Sequence, residues 1–131
     1  GLVSDGGVHA HIDHVIALAK ILAAEKIPVS IHAFTDGRDT SPSSASRFIQ
    51  HLEKSISSLE NVKISTVSGR YYPMDRDNRW ERVELAYNAM INGKGEKAGS
   101  ASEAVKNSYD KKVTDEFILP TVIGNYSGMK D

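Results

Sequence analysis

Val29-Ser30-Ile31-His32-Ala33-Phe34-Thr35-Asp36-Gly37-Arg38-Asp39-Thr40-Ser41-Pro42 is the stretch on which the fold turns. Its first six residues are rich in β-branched and aromatic side chains and read as a strand. Pro28 separates them from the helical pattern before. Asp36-Gly37 marks a turn, and Ser41-Pro42 supplies a helix N-cap followed by proline at the first helical position. The order is strand, loop, helix.

That order recurs on both sides. Upstream, Ile12, Val15, Ile16, Ala19, Leu22 and Ala23 fall on one helical face, behind the strand-like tail Gly1-Leu2-Val3. Downstream, Ala45, Phe48, Ile49, Leu52, Ile56 and Leu59 form the stripe of the next helix. Val62-Lys63-Ile64-Ser65-Thr66-Val67 is a second strand. A third helix is expected from a cap at Asp77 or Asn78, with Trp80, Val83, Tyr87, Met90 and Ile91 as its stripe and Asn92-Gly93 as its stop. Segment 94–116 is less regular, with a short helix capped by Ser100-Ala101-Ser102-Glu103 and ending near Tyr109. Phe117-Ile118-Leu119-Pro120-Thr121-Val122-Ile123 reads as a last strand edged by Pro120. These βα units predict an α/β fold: a mostly parallel sheet with helices on both faces, a three-layer sandwich, truncated. Gly1-Leu2-Val3 opens inside a strand and Ser127-Gly128-Met129-Lys130-Asp131 closes nothing, so the chain reads as a piece of a longer protein.

The composition narrows the function. A net charge of −1 offers no general basic surface for nucleic acid or anionic membrane. With no cysteine, disulfides, thiolate nucleophiles and Cys-ligated zinc are excluded, and a cytoplasmic location is expected. No apolar run approaches the roughly 20 residues of a membrane span.

The chemistry collects in the strand-to-helix loops. They are Ser4-Asp5-Gly6-Gly7-Val8-His9, then Thr35-Asp36-Gly37-Arg38-Asp39, then Gly69-Arg70-Tyr71-Tyr72-Pro73-Met74-Asp75-Arg76-Asp77-Asn78-Arg79. In a parallel sheet all three leave the same edge, where open α/β sheets hold ligands. His9, Arg38, Asp39, Arg70 and Arg76 then converge on one crevice. Several arginines in one crevice call for anions, because the guanidinium fork matches carboxylate and phosphate. Asp39 suits a substrate hydroxyl as acceptor or general base, and His9 suits a phosphoryl oxygen or a proton relay. The ligand implied is small, hydroxylated and anionic.

Plainer readings stand beside these. Taken singly, Asp-Gly and Gly-Gly mark turns. Arg79 and Arg82 fit a solvated helix start paired with neighbouring acids, His32 a packed core histidine, and Tyr71, Tyr72 and Trp80 core or crevice wall. His9, His11 and His14 leave open a metal-dependent hydrolase, although a helix there makes His11 and His14 polar-face residues. A free-standing anion-binding module also stays open.

Four motifs in order carry a family resemblance: the opening Gly1-Leu2-Val3-Ser4-Asp5-Gly6-Gly7-Val8-His9, Asp36-Gly37-Arg38-Asp39, Ser68-Gly69-Arg70-Tyr71-Tyr72, and Met74-Asp75-Arg76-Asp77-Asn78-Arg79-Trp80-Glu81-Arg82-Val83. Together with Asp115-Glu116-Phe117-Ile118-Leu119-Pro120, they resemble cofactor-independent phosphoglycerate mutase over essentially the whole chain.

The resemblance implies that residues 1–131 are part of a phosphotransferase domain holding 3-phosphoglycerate or 2-phosphoglycerate. A phosphatase-like domain absent from this chain would carry the serine nucleophile and two manganese ions. No 2,3-bisphosphoglycerate would be required, and no metal ligand lies in this chain. It also implies Asp39 as catalytic acid/base and His9, Arg38, Asp39, Arg70 and Arg76 as substrate-binding residues. Ala10, Thr35 and Pro73 depart from the family without touching those positions, and a further arginine pair is expected beyond residue 131. This piece alone is then inactive as a mutase. The parent is expected to be a monomer, and the piece to dimerise through unpaired sheet edges.

Overall fold

The computed structural model describes residues 1–129; the loop reading of Lys130 and Asp131 lies outside the described residues. The elements are α1 (Ile12–Ala24), β1 (Val29–Thr35), α2 (Ala45–Ile56), β2 (Val62–Gly69), α3 (Trp80–Asn92), β3 (Glu96–Ala98), α4 (Ala101–Asp110), a 3₁₀ turn (Asp115–Phe117) and β4 (Thr121–Ile123). One sheet runs in the order β1-β2-β4-β3. β1 and β2 are parallel, as are β3 and β4, while β2 and β4 meet antiparallel. Leu2 adds a parallel bridge to Phe34 on the outer side of β1.

Neighbouring residues of a strand point to opposite faces, and here both faces are used. Ile31 and Ala33 of β1 join Ile16, Ile49, Leu52 and Val105 in the main core, beneath a layer in which α1 packs on α2 and α2 on α4. His32, between them, turns the other way. Its ring meets Tyr126 edge-on, and the Tyr126 hydroxyl donates to the Met90 carbonyl of α3. α3 therefore covers the second face, burying Ala86 and Ala89. The expected three layers are present.

The register sets up the site. Ile31 pairs with Ile64 but His32 pairs with Thr66, so Ser65 is a bulge. That slip brings Thr35 level with Gly69. The Val3 amide donates to the Phe34 carbonyl at 2.9 Å and the Arg70 amide to the Thr35 carbonyl at 3.0 Å. Three backbone segments thus end side by side, and Ser4, Asp36 and Arg70 are the next residues out.

Several local expectations are corrected. α2 begins at Ala45, not at Ser41-Pro42. Its first amides, Ser44 and Ala45, donate to the buried Asp115 carboxylate at 2.9 Å, a cap from seventy residues away that replaces the local one. α3 is capped by Asp75, whose carboxylate accepts from the Arg79 amide at 2.8 Å; Asn78 instead takes a left-handed conformation. Trp80 and Tyr87 are 71% and 54% exposed, so they are neither core nor crevice wall. Of the strand expected over 117–123 only Thr121–Ile123, after Pro120, is formed; Phe117 ends a 3₁₀ turn instead, and β3 was not anticipated.

Candidate anion-binding site

Asp36 is the hub of the strand-end cluster. It is 2% exposed and fully engaged. The Ser4 hydroxyl donates to its Oδ2 at 2.6 Å. The amides of Arg38 and Asp39 donate to Oδ1 at 3.2 and 3.1 Å, closing the loop as an Asx turn. Arg70 Nη1 donates to Oδ1 at 2.8 Å. Burial alone pushes this carboxyl up. The Ser4 hydroxyl, the Asp39 amide, the Arg70 guanidinium and the Arg38 amide outweigh it and hold Asp36 below the usual range.

Arg70, 7% exposed, also donates through Nη1 to Asp39 Oδ2 at 2.8 Å. One nitrogen therefore takes both carboxylates. Among the described residues, Nη2 and Nε have no protein partner, so the rest of the fork remains for a ligand. Burial lowers the guanidinium's affinity for its proton, but the bonds to Asp39 and Asp36 more than reverse this. His9 Nε2 stands 3.8 Å from the same Asp39 oxygen.

A polar pocket of about 210 Å³ opens beside Arg70, lined by Arg38, Tyr71, Met74, Asp75, Arg76, Asp77, Arg82 and Glu116. Its charges divide clearly. Arg82 donates to Asp75 Oδ1 at 3.1 Å and lies 4.0 Å over the Tyr71 ring, so it is a fixed wall. Arg38 Nε is 3.6 Å from Glu116 Oε1. Arg76 makes no ion pair among the described residues. A larger hollow of about 350 Å³ between β3 and α4 mixes Lys97 and Lys111 with Glu96 and Asp110 and gathers no arginines.

The back of the site is braced by segment 114–118. The Thr35 hydroxyl donates to the Asp115 carbonyl at 2.6 Å, and the Tyr71 amide to the Glu116 carbonyl at 3.1 Å. Tyr109 donates to Asp115, and burial followed by that carboxylate pushes the phenol up to about 12. Gly37 is left-handed, and a side chain there would meet Asp115 and Glu116 at 2.9 Å.

All five residues expected from sequence gather here: His9, Asp39 and Arg70 in one contact chain, with Arg38, Arg70 and Arg76 around one pocket. Sequence reading missed Ser4 and Asp36, which passed as turn residues. It also missed Glu116, which lies on a distant segment, and Arg82, taken for a solvated helix residue. His11 instead caps α1, its Nδ1 accepting from the Asp13 amide at 3.1 Å. Among the described residues, no three His, Asp or Glu side chains come together to hold a metal ion, so His9, His11 and His14 form no metal centre. No described helix is long and apolar enough to cross a membrane.

Comparison with known proteins adds the following. A family model described as BPG-independent PGAM N-terminus matches residues 1–131. A 2,3-bisphosphoglycerate-independent phosphoglycerate mutase of Roseobacter denitrificans is 56% identical over 131 residues, covering 100% of this chain and 26% of that protein. One of Clostridium kluyveri is 63% identical over 126 residues, covering 94% and 24%. A solved structure of Leishmania mexicana phosphoglycerate mutase, determined at low cobalt concentration, superposes with a TM-score of 0.91 at 29% identity, covering 100% of this chain and 26% of that one. The chain spans about a quarter of the length of these relatives.

Proposed function

This chain belongs to the BPG-independent phosphoglycerate mutase N-terminal family, and on that premise we propose that it is the substrate-holding part of a mutase interconverting 3-phosphoglycerate and 2-phosphoglycerate. The observation that carries this reading is the pocket beside Arg70. There a buried guanidinium is locked through one nitrogen, and Arg76, unpaired among the described residues, and a loosely paired Arg38 stand around the same polar space. That arrangement suits a carboxylate and a phosphoryl group on one small molecule.

In this reading the arginines hold the anionic groups. Asp39 keeps Oδ2 on Arg70 and offers Oδ1, which has no protein partner among the described residues, to a substrate hydroxyl as acceptor and general base. His9, 3.8 Å from Asp39, passes the proton on. The covalent step through a phosphoserine and its manganese ions falls to a phosphatase-like domain in the length of the parent that this chain does not span. In this reading the chain is inactive alone and needs no 2,3-bisphosphoglycerate, and the parent is expected to be a cytoplasmic monomer. Separated from the parent, the chain is expected to dimerise through unpaired sheet edges.

Calorimetric titration with 3-phosphoglycerate tests the binding half. Arg76 is exposed and makes no ion pair among the described residues, so Arg76→Ala is expected to leave the fold intact. Losing one charge-assisted contact is expected to weaken binding about ten-fold or more. Equal affinity in both proteins, or no heat in either, contradicts the reading.

A further inference from the structure

We propose that Glu116 is the crevice's own counter-ion: its carboxylate occupies Arg38 while the site is empty, and the ligand's anionic group displaces it. The inference rests on the anion-binding reading above and adds to it a residue that tunes affinity.

Asp77, on the pocket wall, is exposed and pairs with no cation among the described residues, while the other carboxylates near the pocket are committed elsewhere. Asp36 is saturated by Ser4, two amides and Arg70. Asp75 caps α3 and holds Arg82. Asp39 is tied to Arg70. Glu116 differs from them. Among the described residues it has one partner, Arg38, reached only through Nε at 3.6 Å, and its side chain is 21% exposed against 55% for Arg38. A long, single-point pair whose guanidinium side is open to solvent contributes little and exchanges readily.

The Glu116 backbone, by contrast, is fixed. Its carbonyl accepts from the Tyr71 amide at 3.1 Å, and it packs directly on Gly37 and Gly69. The carboxylate can therefore leave by side-chain rotation alone, without disturbing either loop. Its negative charge lies in the same pocket as Arg38, Arg70 and Arg76, where it competes with any incoming carboxylate or phosphate.

The test titrates inorganic phosphate and 3-phosphoglycerate into the wild type, Glu116→Gln, Arg38→Gln and the double variant. Displacing a pair of this kind is a modest cost to the ligand. Glu116→Gln is thus expected to bind both anions roughly two- to five-fold more tightly. In the Arg38→Gln background the same change is expected to give no gain, because the pair it relieves is already gone. A gain that persists there reports only the general field of one removed charge and overturns the proposal. So does a glutamine variant that binds no better than wild type, while the anion site itself stands. If no protein in the set binds either anion, the anion-binding reading falls and this inference falls with it. An unchanged pattern of amide shifts at Gly37, Gly69 and Tyr71 in Glu116→Gln checks that the loops have kept their places.

Discussion

Asp36→Ala is expected to lose about 3–5 kcal/mol of stability, the cost of breaking a buried, hydrogen-bonded ion pair. The reason is what it leaves behind. The Ser4 hydroxyl and the amides of Arg38 and Asp39 lose their acceptor, and the buried Arg70 keeps one carboxylate instead of two. Against a total of about 5–15 kcal/mol for an ordinary domain, that brings the chain near unfolding at room temperature. Asp36→Asn keeps the shape and loses only the charge, so it sits between the two. The pH dependence has a definite sign. The folded carboxyl lies below its unfolded value, so its stabilisation is fully present above the unfolded pKa of about 3.9 and is lost as pH falls through the lower folded value. Urea melts of wild type and Asp36→Asn should therefore differ most near neutrality and converge in acid. A constant gap down to the lowest accessible pH contradicts the hub.

Gly69→Ala is expected to cost about 3 kcal/mol or more, at or beyond the upper end of overpacking effects. An added Cβ would stand 2.2 Å from the Glu116 carbonyl oxygen, 2.5 Å from its carbon and 2.6 Å from the Ile118 amide. All three are backbone atoms, so no side-chain rotation relieves the contact. The segment must move, taking with it the Gly69 amide bond to Ile118 at 2.7 Å and the Tyr71 amide bond to Glu116. Arg70 sits between those two amides, so anion binding should fall along with the denaturation midpoint. Near-wild-type stability would mean that segment 114–118 does not brace the loops.

The strand–loop–helix order was legible because it is local. Hydrophobic period, Pro28 and the Asp-Gly turn all act within a few residues. The convergence of His9, Arg38, Asp39, Arg70 and Arg76 was legible for a related reason: parallel strands send their following loops to one edge whatever the details. Most of what was not legible is long-range. Asp115 caps α2 across seventy residues, which moved the helix start from Ser41 to Ala45. Asp75 caps α3 from four residues before Arg79, where Asn78 looked the better candidate. Asp36 and Ser4 resemble ordinary turn residues until the register of Thr35 against Gly69 places Arg70 beside them. Trp80 and Tyr87 follow the periodicity of a buried stripe, yet α3 turns its alanines to the sheet.

The central claim is that three loops, far apart in sequence, form one anion crevice. Backbone amide NMR during a titration with 3-phosphoglycerate tests it most directly. The account predicts shifts confined to residues 6–9, 37–39 and 69–77 and to Glu116, saturating together with one affinity. Shifts that gather in the hollow between β3 and α4, or no amide moving at millimolar ligand, would contradict it.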